Sequence, residues 1–297
     1  MTPRTRGAAP APAAPTPWVA LHDLRSVWLQ VTGTLCNLAC RHCFNASGPR
    51  APWLGSLDAT AIRAAIAEAE GLGVKELYFT GGEPFLHPDL LALLETALAV
   101  APTTVLTNGT LVDDLGADRL AAIAASSAYS LEVRVSVEAD TAEANDRVRG
   151  RGSFARALAA VRRLDARGVP PIVTATKIVA SRAGPTLYER LRACLLAAGV
   201  RRPRVKILPV LPLGRCAWRA DERCLTADDL EAFDVSRLPC AETRVVADGG
   251  VYACPILAGL PGARLSDGRL ADALGPASLY HPVCVTCHAT GLACRNH

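Results

Sequence analysis

The sequence predicts an α/β fold in which a parallel sheet carries helices on one face. Between residues 26 and 210, strand-like and helix-like stretches alternate six times, which is typical of parallel strands joined by helices. Half of the 297 residues are apolar, which is enough to bury a core of domain size. Several strands alternate apolar and polar residues, so the second face of the sheet is polar. We expect this polar face to line the lumen of a barrel and to hold a polar ligand.

The six strands are predicted from short runs rich in β-branched and aromatic residues. In the fourth, Val133 and Val135 face the helices, whereas Arg134 and Ser136 face the lumen. Arg134 lies deeper than Ser136, so we expect it to pair with Glu132 or to contact a substrate carboxylate or phosphate. The predicted strands cover residues 26–32, 75–80, 103–107, 131–137, 171–179 and 203–210. An antiparallel sheet with one solvated face is the alternative, and the helical connections favour the parallel sheet.

The remaining elements are predicted from caps and turns. Asp58 is expected to cap the first helix, and Gly71 and Gly73 to end it. An irregular stretch follows the last strand. A hairpin turning at Asp248-Gly249-Gly250 comes next. The predicted domain boundaries are a disordered tail at 1–25, a barrel at 26–210, a linker at 211–239 and a cysteine-rich domain at 240–297.

Composition narrows the class of protein. The net charge of +4 comes from 32 basic and 28 acidic residues without a basic run, so we expect no nucleic-acid partner. The first 17 residues are mainly Ala and Pro, without the apolar core of a signal peptide. Because no apolar stretch reaches the length of a membrane span, we expect a cytoplasmic protein without a membrane partner.

Three thiols lie close together in the loop after the first strand, at Cys36, Cys40 and Cys43. In a reducing compartment, clustered cysteines indicate metal ligands rather than disulfides. A [4Fe–4S] cluster held by three cysteines leaves one iron open for a small molecule that bears an amine and a carboxylate. A zinc knuckle completed by His42 or His87 is the alternative interpretation.

Further motifs follow the next strands in order: GGEP at 81–84, TNG at 107–109, SVE at 136–138 and RGRGSF from Arg149. Together with Cys36-x3-Cys40-x2-Cys43, this set resembles the radical S-adenosylmethionine (radical SAM) superfamily. The resemblance implies a partial (β/α)6 barrel that binds a [4Fe–4S] cluster and S-adenosylmethionine.

The resemblance also implies roles for single residues. His42 occupies a position that is usually aromatic and packs beside the adenine. The backbone of the GGEP loop is expected to hold the methionine amino group. Glu138 stands where the family often has Asp. The residues implied to bind S-adenosylmethionine are His42, Gly81, Gly82, Glu83, Pro84, Asn108, Ser136, Glu138 and Arg149.

A second set of cysteines lies near the carboxyl terminus and resembles the SPASM and twitch extensions of the same superfamily. The resemblance implies an auxiliary [4Fe–4S] cluster, with Cys216 and Cys224 as outside alternatives to the expected ligands. Because the chain ends three residues after the last cysteine, we expect one such cluster rather than two. A structural zinc site of the zinc-ribbon type is the alternative. The expected ligands are Cys240, Cys254, Cys284 and Cys287, with Cys294 as a competitor.

The resemblance predicts a radical SAM enzyme that reductively cleaves S-adenosylmethionine to a 5′-deoxyadenosyl radical, which abstracts hydrogen from a substrate. We expect an oxidation or a cross-link during maturation of a peptide, natural product or cofactor. The alternatives are oxidation or rearrangement of a small polar metabolite and, more remotely, a non-catalytic iron–sulfur electron carrier. The expected partners are a peptide or small-molecule substrate and a flavodoxin-like or ferredoxin-like electron donor.

Overall fold

A nine-stranded sheet forms the centre of the protein. The computed structural model describes residues 16–50, 52–178, 184–219 and 223–291. The strands in these ranges are β1 (Trp18–Val19), β2 (Ser26–Gln30), β3 (Glu76–Thr80), β4 (Thr103–Thr107), β5 (Leu131–Ser136), β6 (Ile172–Thr176), β7 (Arg204–Leu208), β8 (Thr243–Ala247), β9 (Gly250–Tyr252), β10 (Arg264–Ser266) and β11 (Ala277–Ser278). The order in the large sheet is β10-β9-β8-β2-β3-β4-β5-β6-β7, and β1 pairs with β11 separately.

All neighbours from β8 through β2 to β7 run parallel. This confirms the predicted α/β fold and removes the antiparallel alternative. Each of the six predicted strands is present, although most are shorter than predicted. Strand β2, which is the first of the six predicted strands, ends at Gln30 because the chain then turns, with the Gly33 amide donating to the carbonyl of Gln30. This turn begins the loop that carries the first three thiols.

The first six helices cover the outer face of the sheet, and the last two lie with the carboxyl-terminal segment on the other face. They are α1 (Ala59–Gly71), α2 (Leu90–Leu98), α3 (Asp114–Ser126), α4 (Ala142–Arg149), α5 (Ser153–Ala166), α6 (Leu187–Ala197), α7 (Ala227–Leu230) and α8 (Val283–Thr290). Asp58 caps α1 as predicted, because its side chain accepts a hydrogen bond from the Ala61 amide at 2.8 Å. Within the described ranges, no helix has both the length and the apolar character needed to cross a membrane.

The two faces of the sheet pack into separate clusters, as the alternation predicts. Val27, Leu77 and Val133 belong to the core under the helices. The next residues along two of these strands, Trp28 and Tyr78, belong to a second cluster, which also contains the carboxyl-terminal cysteines. The lumen therefore lies between the sheet and the carboxyl-terminal segment.

The predicted hairpin is formed by β8 and β9, which pair antiparallel around the turn at Asp248 and Gly249. The hairpin is not a detached unit, because β8 also pairs in parallel with β2 and so continues the central sheet. The segment predicted as a linker contains short helical turns and α7. The division into domains stays a prediction.

Candidate active site

A cavity of about 250 Å³ lies at the carboxyl ends of the parallel strands, where ligands bind in folds of this type. The cysteine loop borders it on one side, and polar residues of β5, β6 and β7 border it on another. Of the predicted site residues, those that line this cavity are Cys36, Cys40, His42, Cys43, Gly81, Gly82, Asn108, Ser136 and Arg149.

The three thiols of the loop receive hydrogen bonds that favour thiolate ligands. The backbone amide of Leu38 donates to the Cys36 sulfur at 3.4 Å, and that of Ser47 donates to the Cys43 sulfur at 3.3 Å. The Asn108 amide nitrogen lies 3.8 Å from the Cys36 sulfur. Burial raises the pKa of Cys36 to about 12, so positive charge from a metal centre is needed to hold it as a thiolate.

Two arginines lie beside Cys40. The Arg149 Nη1 atom is 4.0 Å from the Cys40 sulfur, and Arg215 Nε donates to the Cys40 carbonyl at 2.6 Å. Burial raises the pKa of the Cys40 thiol, and the positive charge of Arg149 opposes this rise. The two guanidinium groups therefore favour negative charge on this part of the loop.

The GGEP loop approaches the cysteine loop so closely that only glycine fits. Gly81 has φ +147°, and a Cβ there would lie 2.2 Å from the Thr32 hydroxyl oxygen. A Cβ on Gly82 would lie 2.1 Å from the Leu35 carbonyl oxygen. Both glycines border the cavity, so their backbone lies along its wall.

Glu83 uses its carboxylate within the protein. It accepts hydrogen bonds from the Thr107 hydroxyl at 2.6 Å, the Asn108 amide at 2.7 Å and the Phe85 amide at 3.2 Å. The side chain is fully buried, and burial raises its pKa despite these three donors. Glu83 therefore joins the GGEP and TNG loops, and Pro84 begins the short turn that follows. Neither residue lines the cavity in the described structure.

Glu138 is the centre of a buried network beside the cavity. One carboxylate oxygen lies 2.9 Å from His42 Nε2 and 2.5 Å from Arg149 Nη2. The other accepts from the Thr176 amide at 2.7 Å and from its hydroxyl at 2.6 Å. Burial alone would raise the pKa of Glu138, but Arg149 and His42 hold it well below its usual range. With both oxygens engaged, Glu138 fixes His42 and Arg149, which themselves line the cavity.

Three buried polar atoms at the cavity have no hydrogen-bond partner among the described residues: His42 Nδ1, Asn45 Oδ1 and Ser47 Oγ. Buried polar atoms in proteins are normally satisfied, so these atoms indicate that a polar ligand completes the site. Together with three thiols and an adjacent cavity, they fit a three-cysteine cluster and a polar cofactor.

The zinc alternative for this loop has little support. Both ring nitrogens of His87 are engaged, since Nε2 lies 3.0 Å from the Leu57 carbonyl and Nδ1 accepts from the Asp89 amide at 3.1 Å. His42 directs Nε2 to Glu138. Within the described ranges, no three His, Cys, Asp or Glu side chains are spaced closely enough for a single metal ion.

The carboxyl-terminal cysteines come together at a second place. Cys240, Cys254, Cys284 and Cys287 are all buried and border one space of about 20 Å³. The other walls of this space are mainly apolar, from residues such as Ile256 and Val283. Cys294 lies outside the described residues. The four buried thiols supply the donors for a four-cysteine iron–sulfur cluster, although they are not spaced closely enough for a single metal ion.

Neither of the two outside alternatives borders this space, although Cys224 is close enough to Cys284 to act on it electrostatically. Cys224 donates a hydrogen bond to the Tyr280 carbonyl at 3.3 Å. Cys216 is buried in the 3₁₀ turn at Gly214–Arg219, where burial raises the pKa of its thiol and the nearby Cys43 adds to the rise.

Two residues that contact the cysteine sites were not predicted from the sequence. Arg215 lies in an irregular segment without periodicity, and no sequence signal places it at the cysteine loop. Arg244 is completely buried and donates to four backbone carbonyls, including that of Cys240 at 2.9 Å. A charged residue within the apolar strand TRVVA, four positions after Cys240, was the signal available for Arg244.

Comparison with known proteins agrees with this geometry. The model of the radical SAM superfamily matches residues 31–181. The chain is 31% identical over 288 residues to the mycofactocin maturase MftC of Mycobacterium tuberculosis, covering 82% of this chain and 69% of that protein. It is 30% identical over 205 residues to the PqqA peptide cyclase of Ruegeria pomeroyi, covering 68% of this chain and 50% of the cyclase.

Solved structures show the same fold. Streptococcus suis SuiB bound to the precursor peptide SuiA superposes with a TM-score of 0.62 at 14% identity, covering 86% of this chain and 64% of SuiB. The anSMEcpe structure with bound AdoMet and a peptide, Cp18Cys, gives 0.58 at 16% identity, covering 82% and 76%. The chain therefore belongs to the radical SAM superfamily and is an enzyme that uses a [4Fe–4S] cluster and S-adenosylmethionine as cofactors.

Proposed function

We propose that this enzyme modifies a peptide by oxidising or cross-linking one of its residues. The observation that carries the proposal is the continuity of the cavity. The same space is bordered by the three thiols, by Arg134 and Lys206 deeper in the lumen, and by Ile256 of the carboxyl-terminal segment. A substrate residue can therefore enter beside the cofactors. The maturase and cyclase names of the relatives support a peptide substrate.

The residues of the chain have separate tasks in this proposal. Cys36, Cys40 and Cys43 would hold the cluster, and the backbone of Gly81 and Gly82 along the cavity wall would hold the methionine part of S-adenosylmethionine. Together these cofactors supply a 5′-deoxyadenosyl radical that removes a hydrogen atom from the substrate. His42 and Arg149, fixed by Glu138, would orient S-adenosylmethionine. The cavity walls would exclude water and competing hydrogen donors.

The second cysteine set would hold an auxiliary cluster that accepts the electron left on the substrate after hydrogen abstraction. Ile256 links the two places, because it borders both the active-site cavity and the space between the four cysteines. An external flavodoxin-like or ferredoxin-like protein would supply the electron that starts each turnover.

The test is to find the source of the abstracted hydrogen. Anaerobically reconstituted enzyme is incubated with reductant, S-adenosylmethionine and a fully deuterated library of random peptides. We expect deuterium in the 5′-deoxyadenosine product and peptides that have lost two deuterium atoms. The Cys40→Ala variant is the control and should form neither product. If deuterium entered 5′-deoxyadenosine only from deuterated small metabolites, and not from deuterated peptides, the result would favour the metabolite alternative.

A further inference from the structure

Arg215 differs in its contacts from Arg134, another arginine that borders the cavity. Arg134 pairs with the carboxylate of Glu132 at 2.9 Å. The side chain of Arg215 donates instead to two main-chain carbonyls of the cysteine loop, from Nε to Cys40 at 2.6 Å and from Nη2 to Ser47. Because a guanidinium is planar and rigid, it fixes the positions of both carbonyls relative to each other.

The backbone next to this side chain contacts the same loop. The Arg215 amide donates to the Cys43 carbonyl at 3.0 Å. Gly214 approaches so closely that a Cβ there would lie 2.2 Å from the Phe44 carbonyl oxygen, and its φ of +58° also favours glycine. Gly214 and Arg215 therefore form a clamp that holds the loop from position 40 to position 47.

These contacts act on two of the three thiols. Cys40 itself carries one of the carbonyls that Arg215 holds. Ser47 carries another, and its amide donates to the Cys43 sulfur at 3.3 Å. Groups that orient metal ligands in this way typically change metal affinity by about 10-fold to 100-fold when they are removed. Arg215 is therefore placed to keep the thiols of Cys40 and Cys43 in position.

The clamp comes from a distant part of the chain. Arg215 lies in the 3₁₀ turn at Gly214–Arg219, 175 residues after Cys40 in the sequence. The match to the radical SAM superfamily ends at residue 181, so this turn lies beyond the matched region. The segment after the last barrel strand thus contributes to the three-cysteine site as well as to the cavity wall.

We infer that Arg215 is a positioning residue for the three-cysteine site and that, by fixing Cys40 and Ser47, it slows the loss of iron from the cluster bound there. The inference rests on the proposed cluster site at Cys36, Cys40 and Cys43. Without the clamp the thiols would keep their shared geometry less well, and a thiolate that dissociates from iron would rebind more slowly.

The test measures how fast each cysteine site releases iron. Reconstituted enzyme is mixed anaerobically with the iron chelator ferrozine, and the release is followed by absorbance. We expect Arg215→Gln to release about four irons about tenfold faster than wild type. Cys40→Ala identifies these irons, because it should lack them from the start. Iron at the carboxyl-terminal cysteines should leave at the wild-type rate.

Two further variants separate the clamp from the charge of Arg215. Arg215→Lys keeps the charge, but an ammonium makes a point contact and cannot hold two carbonyls in a fixed geometry. We therefore expect its iron release to remain closer to that of Arg215→Gln than to that of wild type. Arg219→Gln is the matched control and should behave as wild type, because Arg219 is exposed in the same turn, lies over the Trp218 ring and does not border the cavity.

A substitution in the backbone contact tests the clamp with Arg215 in place. Gly214→Ala would push the turn away from the Phe44 carbonyl, so we expect faster iron release from the three-cysteine site here too. This variant keeps the inference testable if Arg215→Gln folds poorly. The unfolding temperature of the metal-free variants, measured by circular dichroism, shows whether the effect is local, and we expect each to lie within about 4 °C of wild type.

Three outcomes would overturn the inference. Wild-type iron release by both Arg215→Gln and Gly214→Ala would mean that the clamp does not support the cluster. Equally faster release from both cysteine sites would indicate a general loss of structure. Full recovery by Arg215→Lys would assign the effect to charge rather than to the clamp. Failure of the proposed cluster site looks different, because Cys40→Ala would then keep all of its iron.

Discussion

Cys36, Cys40 and Cys43 border a cavity of about 250 Å³, whereas Cys240, Cys254, Cys284 and Cys287 border a space of about 20 Å³. The first set lies on a loop beside polar groups, and its cavity continues into the lumen. The second set lies in an apolar cluster under the hairpin. Thiols of the same chemistry are therefore held in two contrasting environments.

The environment of each thiol set limits the chemistry that the set can support. Three ligands beside a large cavity that also carries polar groups leave room for an external molecule to complete a metal centre. Four ligands around a small apolar space leave no such room. We therefore expect cofactor cleavage to depend on the first site, and electron transfer or stability to depend on the second.

Removing one thiol from each site tests this difference between the two sites most directly. Cys40→Ala should reduce cleavage of S-adenosylmethionine to background, because the loop can no longer hold its cluster. Cys287→Ala should retain cleavage but lose product formation. Cys194→Ala, a half-buried thiol of α6 outside both sets, is the control. The measurement is anaerobic quantification of 5′-deoxyadenosine and of product. Cleavage by Cys40→Ala would contradict the assignment of the open site.

Glu138 tests the polar surroundings of the open site. Glu138→Ala leaves His42 and Arg149 without their common anchor, and loss of such a supporting contact typically weakens binding about 10-fold to 100-fold. We expect the Kd for S-adenosylmethionine to rise by that factor. Asp146→Ala is the control, because Asp146 accepts from the Gly152 and Phe154 amides away from the cavity. An unchanged Kd for Glu138→Ala would show that His42 and Arg149 need no anchor.

Metal analysis distinguishes the two sites by composition. Two [4Fe–4S] clusters correspond to about eight irons per chain, and the combined Cys36, Cys40 and Cys43 to Ala variant should retain about half of them. The iron should remain because the closed site supplies its own four thiolates. Zinc in this variant, without iron–sulfur absorption, would show that the carboxyl-terminal site is structural.

Much of the open site was predictable because its parts follow parallel strands in order. Once the strands are recognised, the cysteine loop, Gly81, Asn108 and Ser136 must meet at one edge of the sheet. Sequence does not show which way each carboxylate turns. Glu83 and Glu138 lie in the matching motifs, yet the carboxylate oxygens of both accept hydrogen bonds from other groups of the protein.

The closed site was less predictable. Its cysteines are recognisable by spacing, but the role of the hairpin as a continuation of the barrel sheet is not. That pairing joins β8 to β2, strands that are 217 residues apart where Ser26 meets Thr243. Contacts over such a separation are set by tertiary packing, and no local pattern encodes them.

The ion pair at Glu138 should also make stability depend on pH. Arg149 and His42 hold the pKa of Glu138 below its ordinary value of 4.5. The folded state therefore binds fewer protons than the unfolded state, so this contribution is full above pH 4.5 and is lost as pH falls below it. Urea unfolding of wild type and Glu138→Gln at pH 7 and pH 4 should show a smaller difference at pH 4. A difference that grew at pH 4 would contradict this sign.

The smallest expected effect concerns Arg244, the buried cation of the closed site. Burial lowers its pKa to about 10, while the nearby thiolates of Cys240 and Cys254 oppose this shift, so Arg244 is charged at neutral pH. A positive charge near a cluster favours its reduced, more negative state.

Arg244→Gln should therefore make the reduction potential of the auxiliary cluster more negative, by on the order of tens of millivolts. Anaerobic redox titration followed by electron paramagnetic resonance measures this potential in the Cys36, Cys40 and Cys43 to Ala background, where only that cluster remains. Arg244→Lys keeps the charge but loses several of the four carbonyl contacts, so it separates charge from packing. If Arg244→Lys shifted the potential as far as Arg244→Gln does, the cause would be packing around the thiols. A shift confined to Arg244→Gln would establish that the closed site is tuned by charge even though its walls are apolar.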